Sequence, residues 1–407
     1  MDATTLRAWW WHRQGLDGSL AGKSAGEVLD QAGWARSVGG ANPYLTLFAR
    51  AGLRREAIDA AVAALDIHEL PSARGCTYVV PARDFALALT VGQAFGGGEM
   101  NVARKLGVTE KDVDKLCEKV IAVLARGPLD PEGLKAAAGP AVKNLGEEGK
   151  KKGLTSTLPL ALGRLQQSGH IRRVPTDGRL DHQRYGYALW KPNPLANVKL
   201  SAAEGYVELA RCFFRWIGPA RAVDFQWFSG LGVKAAKAAI DPLGLVPLES
   251  GSDFLVARGD LDACRRMKLP GKPHYALVGS IDSISLLRRD LPSLLDAADV
   301  KRQVMGERGS RELGGLADLP SHVILDRGRL VGLWEFDPDA QRLVWWVFGA
   351  DPRDKALVAA VERTEAFVAG DLGDARAFSL DSAKSRAPRL AALRASASSS
   401  SAPRSAR

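Results

Sequence analysis

The stretch Leu154–Trp190, LTSTLPLALGRLQQSGHIRRVPTDGRLDHQRYGYALW, limits what this chain can fold into more than any other segment. Thr155, Ser156 and Thr157 suit a helix start, because a hydroxyl accepts from the free N–H groups there. Pro159 fits only a first turn, where its missing N–H is not needed. Leu158, Leu162 and Leu165 recur at helical spacing, and Gly169 tolerates the positive φ of a helix stop. Ile171 and Val174 bracket Arg172 and Arg173 in a short strand. Pro175-Thr176-Asp177-Gly178 is turn chemistry. Tyr185, Tyr187 and Leu189 alternate as a second strand. Upstream, Val113–Arg126 is amphipathic and Asp130–Ala138 is a shorter helix. Three helices followed by a basic hairpin predict a winged helix-turn-helix.

In such a unit, Thr155–Arg164 would enter a major groove while the wing lies against phosphates. The wing carries Arg172, Arg173, Arg179 and Arg184, with His182 beside them. Lys150, Lys151 and Lys152 precede the helix and are placed for phosphates. Together with Thr155, Ser156, Thr157 and Arg164 they form the predicted DNA-binding set. Arg179, at the wing tip, is expected as a free arm. The competing role for the unit is packing or protein contact. The net charge of +10 would mean little alone, but together with helix-turn-helix units and a basic central wing it points to a polyanionic target. DNA is the predicted partner.

The same order recurs on both sides. Thr4–Gln14, with Trp9, Trp10 and Trp11, Ser24–Ala32, Pro43–Ala51 and Arg54–Leu65 read as helices, and 67–80 as a hairpin. At least one of the three tryptophan rings is expected to face outward from the helix, with packing against the next domain as its leading role and base stacking as the alternative. Ser24 and Glu27 have capping-box spacing. Ser201–Ile217, Ala220–Ser229 and Val233–Leu243 precede a further hairpin at 245–257, whose turn is acidic. After about residue 270 strands dominate: Tyr275–Val278, a hairpin at 322–336, Gln341–Phe348 and Ala375–Ser379. Pro352–Gly370 and Ala387–Arg394 are helical. The fold class is therefore α+β: three tandem winged-helix units, then a small C-terminal β-barrel-like α+β domain. The expected boundaries are 1–95, 96–192, 193–269 and 270–394, with a Ser/Ala-rich disordered tail at 395–407.

Several function classes drop out. No run of about 18 apolar residues exists to span a membrane, and the N-terminus lacks a signal-peptide apolar region, so a cytoplasmic protein is expected. Cys76, Cys117, Cys212 and Cys264 are far apart, without CxxC or HExxH patterns, so no metal is predicted. Gly96-Gly97-Gly98 lacks the flanks of a phosphate loop, and no cofactor is predicted. No heptad dimerisation helix is visible, so a monomer is expected.

Two segments carry a family resemblance. Leu277–Arg289, LVGSIDSISLLRR, resembles the LSPFDxLLWDR segment of the bacterial winged-helix proteins that include the AlkZ-type interstrand-crosslink DNA glycosylases. Ile324–Trp334, ILDRGRLVGLW, is similar to their GRxVGxW hairpin. The element order matches along nearly the whole chain. The resemblance implies DNA as substrate or partner and a Gln-x-Gln or Gln-x-Asp pair that orients the water attacking the sugar. Here those positions fall at Arg36-Ser37-Val38. Arginine cannot accept a proton and valine has no polar atom, so the catalytic residues stay unassigned. Asp282, with Arg288 and Arg289 close behind, reads as an internal salt bridge. The leading expectation is a DNA-binding protein for duplex or damaged DNA. A divergent glycosylase for alkylated or crosslinked bases is the alternative, and a ligand-sensing transcriptional regulator the third.

Overall fold

In the computed structural model, which describes residues 1–401 except residues 96 and 307–308, the central segment has the predicted order. Helix Leu158–Gln167 leads into strands Ile171–Pro175 and Tyr185–Leu189, paired antiparallel. Leu158, Leu162 and Leu165 turn toward helices Glu110–Leu124 and Pro131–Ala138, and Met100 to Tyr187 share a core of their own. The helix start departs from expectation. Thr157 occupies the cap position, but its Oγ1 accepts from Lys143 N at 3.0 Å rather than from a helix N–H. Thr157 N donates back to the Lys143 carbonyl, also at 3.0 Å. That tie brackets an additional short helix, Gly146–Lys151, ahead of the predicted one.

The three regions before the C-terminal sheet share one local design. Helices Ala25–Ala32, Glu110–Leu124 and Ala202–Ile217 each begin with a reciprocal capping box: Ser24/Glu27, Thr109/Asp112 and Ser201/Glu204. Each box meets two of the N–H groups a helix start leaves free. In the first region, strands Ile67–Pro71 and Thr77–Pro81 form the hairpin, and Ala35–Arg36 adds a third, short strand. In the third, Val246–Pro247 and Phe254–Val256 are joined in the same way by Ala220–Arg221.

The C-terminal strands do not close into a barrel. Arg342–Val347, Arg329–Asp337, His322–Asp326 and Tyr275–Val278 make an open four-stranded antiparallel sheet in that order. Alternation along the strands sends neighbours to opposite faces. Leu333 and Val344 share a core with Leu390 and Leu393 of helix Ala383–Ser401. Trp334, Phe336 and Leu343 pack with Leu357 and Val361 of helix Lys355–Phe367. Both faces are covered by helices, so closure is not needed to bury the sheet. Ala375–Ser379 is a loop rather than a strand, because its backbone bonds to the first region instead: Ala41 N to Arg376 O and Ser379 N to Val38 O, each 2.9 Å. The last helix continues to Ser401, so residues 395–401 are helical rather than disordered. Arg404 and Arg407 lie outside the described residues.

The first and third regions and the C-terminal sheet share cores rather than standing apart. Helix Ala3–Arg13 shows why. Trp9, Trp10 and Trp11 are all buried, and no ring faces outward. Trp9 Nε1 donates to Gly218 O at 2.8 Å and Trp10 Nε1 to Pro219 O at 3.0 Å. The helix is enclosed by the third region on one side and the C-terminal segment on another. No helix among the described residues is long and apolar enough to cross a membrane.

Candidate nucleic-acid interface

The central hairpin does not project freely from its unit. Beyond the exposed turn at 176–178 the chain folds back, and Leu180 and Asp181 are buried. Leu180 N donates to Tyr44 Oη at 3.0 Å, and Arg376 Nη2 donates to Asp181 O at 2.7 Å. Burial, with Asp59 accepting from its hydroxyl, pushes the Tyr44 pKa up, so the phenol stays neutral and can serve both contacts. The hairpin thus joins the first region to the C-terminal segment.

This geometry re-assigns Arg179. It is not a free arm: Nε and Nη2 grip Asp181 at 3.0 and 2.6 Å, and Nη2 also donates to Leu372 O at 2.9 Å. Arg164, on the Leu158–Gln167 helix, is likewise held, by Glu110 and by Asp114 at 2.6 Å. Arg172 is partly buried, and desolvation lowers its pKa. Arg173 stands over the Tyr185 ring, 5.4 Å from its centroid, with Nη1 3.8 Å from Glu69 Oε2. His182 is 2.6 Å from Asp177. Arg184 is exposed. Lys150 and Lys151 are exposed beside Glu147 and Glu148, and Lys152 is exposed at the end of the same short helix. Thr155 is exposed, Ser156 half-buried and Thr157 buried. The structure therefore brings Arg172, Arg173 and Arg184 onto one hairpin. Lys150–Lys152 sit with Thr155 and Ser156 at the helix start.

Facing the hairpin lies a polar cluster that the sequence did not single out. The backbone at Ala35–Arg36 is in the first sheet, and the Arg36 guanidinium donates to Thr77 O at 3.1 Å while lying over Tyr78. Ser37 points the other way, as strand alternation requires, and its Oγ donates to Glu69 Oε1 at 2.5 Å. Glu69 is buried, and Oε2 accepts no hydrogen bond. His68, next on the strand, is buried against Phe85 and Trp190 with both ring nitrogens unpartnered. Burial, reinforced by Arg172 and Arg173, lowers its pKa to about 3, so the ring is neutral. One signal was available in the sequence: consecutive His68-Glu69 inside a strand otherwise made of apolar residues.

The Asp282 segment is structural. Asp282 pairs with Arg50, not with Arg288 or Arg289: Nη2 to Oδ1 is 2.7 Å and both side chains are fully buried. Arg288 lies 3.3 Å from the Trp10 ring centroid, and Arg289 reaches Asp318 at 2.9 Å. Among the described residues no group of three His, Cys, Asp or Glu side chains is placed to hold a metal ion.

Comparisons with known proteins agree with this architecture. The chain is similar in fold to the Streptomyces sahachiroi DNA glycosylase AlkZ, with a TM-score of 0.67 and 21% identity over 93% of this chain and 98% of that one. No curated protein sequence matches it. The family model described as DNA glycosylase AlkZ-like matches residues 30–392, and on that span the chain belongs to the AlkZ-like DNA glycosylase family.

Proposed function

We propose that this protein binds duplex DNA, damaged DNA in particular, through its central winged-helix unit, without the water-orienting pair its relatives carry. In this reading residues 1–95, 96–192 and 193–269 are three winged-helix units and 270–394 is the C-terminal domain. The hairpin cations Arg172, Arg173 and Arg184 meet phosphates, while Lys150–Lys152, Thr155 and Ser156 line the approach of the Leu158–Gln167 helix. Arg164, Arg179 and His182 support the surface through their carboxylate partners. The observation that carries the reading is at Arg36-Ser37-Val38. The Arg36 guanidinium is spent on Thr77 O and the Tyr78 ring, and Val38 has no polar atom, while Arg184 of the cationic hairpin is exposed and Arg172 and Arg173 are partly so. Contact with phosphates makes affinity fall steeply with salt. Anisotropy of a labelled duplex, plain or carrying one N7-methylguanine, at two NaCl concentrations tests this. Binding that is absent at low salt, or indifferent to salt, sinks it.

A second reading, excision of alkylated or crosslinked bases by a relocated catalytic group, is favoured by the family match across residues 30–392. Abasic sites should then appear in the N7-methylguanine duplex after incubation with the protein. If the DNA is bound and stays intact, that reading fails and the first stands.

A further inference from the structure

We infer that Glu69 is a resident anion on Arg173, holding the guanidinium at the place where a DNA phosphate would draw it away. The inference rests on the reading that the central hairpin contacts DNA. Arg173's side chain is 35% exposed, so it is reachable from solvent, whereas that of Glu69 is 4% exposed and stays covered. Their closest atoms are 3.8 Å apart, inside ion-pair range but too far for a hydrogen bond.

Neither partner is satisfied by the other. Glu69 Oε2 accepts nothing and Arg173 Nε donates to nothing. Five of the eleven buried, unpartnered side-chain polar atoms among the described residues lie on these few residues: Nδ1 and Nε2 of His68, Oε2 of Glu69, Oγ of Ser72 and Nε of Arg173. A buried donor or acceptor left without a partner is destabilising, so this junction is held weakly for its polarity. The Tyr185 ring supports Arg173 from one side, and its hydroxyl is anchored on Leu180 O at 3.2 Å. The guanidinium can therefore turn outward without unpacking the hairpin. A phosphodiester offers Arg173 what Glu69 does not, two unhindered oxygens in bidentate geometry.

Once Arg173 leaves, Glu69 keeps its Ser37 bond and the neighbouring Tyr185 hydroxyl, two neutral groups that compensate a buried charge poorly. That cost is subtracted from the DNA affinity of the parent protein. Removing the charge should raise affinity, which a merely damaged interface would not do.

The test measures the Kd of a labelled duplex oligonucleotide by anisotropy for the parent, Glu69→Gln, Arg173→Ala, the double variant and Asp66→Asn. Asp66 is exposed on the same region and reports the general gain from losing one negative charge. Glu69→Gln should bind roughly three- to tenfold more tightly than Asp66→Asn, the size of a modest ion-pair term. In the Arg173→Ala background the same change should add no more than Asp66→Asn does. A measurement on the parent alone guards against a misfolded variant: the Arg173 Nε–H resonance should shift when duplex is added. If Glu69→Gln behaves like Asp66→Asn, if its gain survives without Arg173, or if that resonance does not move with DNA bound, the inference is overturned while DNA binding stands. If the parent binds no duplex at low salt, the DNA-binding reading itself fails and takes the inference with it.

Discussion

Asp282→Ala should cost about 3–5 kcal/mol of stability, because it strips a buried charge of its partner. The carboxylate accepts four bonds: Arg50 Nη2 at 2.7 Å and Nη1 at 2.8 Å, Thr46 Oγ1 at 3.1 Å and Ile284 N at 3.1 Å. The guanidinium in turn donates to Gln14 O, Gln14 Oε1 and Thr46 O at 2.8, 3.0 and 3.2 Å. The Gln14 amide passes the chain on to Ala32 O and Trp216 O, both at 2.8 Å. Without Asp282 the cation keeps only neutral acceptors in a site closed to water. Arg50→Met should cost a similar amount, since it leaves the carboxylate with two neutral donors. The Arg50→Met/Asp282→Ala pair should cost less than the two single losses together by roughly 1–3 kcal/mol, the coupling expected of residues in direct contact. Urea unfolding followed by tryptophan fluorescence supplies all three values. Single losses below about 1 kcal/mol, or strict additivity, would refute the assignment of this pair as the tie between the first region and the C-terminal segment. Folded Asp282→Ala should bind duplex as the parent does. Weakened binding at unchanged stability would instead place Asp282 in the DNA site.

Arg179→Ala should cost about 1–3 kcal/mol in the same unfolding assay, because it abandons the buried Asp181 carboxylate and the Leu372 carbonyl; a cost indistinguishable from zero would restore it as a free arm. Arg184→Ala should change stability by less than about 0.5 kcal/mol, yet weaken duplex binding and lower the salt slope by roughly one unit; an unchanged slope would remove Arg184 from the interface. His68 has a folded pKa pushed below its ordinary value, to about 3. Between there and about pH 6.5 the unfolded chain binds a proton that the folded chain refuses, so stability falls as pH drops through that window. His68→Phe should lose less stability than the parent on going from neutral pH to about pH 4, and an identical loss in both would show that another group sets the acid limit.

Much of the local structure was legible because it depends on neighbours in sequence. Ser24 with Glu27 meets the capping box by spacing alone, and the helical recurrence of Leu158, Leu162 and Leu165 buries one face. The hairpin at 322–336 is marked by its Asp-Arg-Gly-Arg turn. What was not legible depends on distant partners. A run of three tryptophans on one helix implies an exposed ring only if one side of the helix meets water. Here Gly218 and Pro219 come from another region to take two of the indoles. Asp282 has arginines six and seven residues ahead, yet the cation that reaches it is Arg50, because Asp282 caps a short helix that turns its carboxylate toward the first region. The expected barrel failed for a similar reason: the segment Ala375–Ser379, counted as one of its strands, gives its backbone bonds to Val38 and Ala41.

The candidate site shows the same division with a sharper consequence. Counting basic residues along the hairpin finds four arginines, and the count suggests four contacts for phosphate. The fold leaves them in four different states. Arg179 is closed onto Asp181, Arg172 is half-desolvated near His68, Arg173 rests on Tyr185 within reach of Glu69, and Arg184 faces solvent. Strand alternation explains part of this, since Arg172 and Arg173 must leave on opposite faces. The rest follows from the double role of the hairpin. Leu180 and Asp181 bind it to Tyr44 and Arg376, so its tip cannot also be an unattached arm. The net charge of +10 is a property of the composition. The charge that a phosphate backbone meets is set by which carboxylates the fold has already placed beside each arginine, and on the hairpin Glu69 holds Arg173 at 3.8 Å, far more loosely than Asp181 holds Arg179 at 2.6 Å.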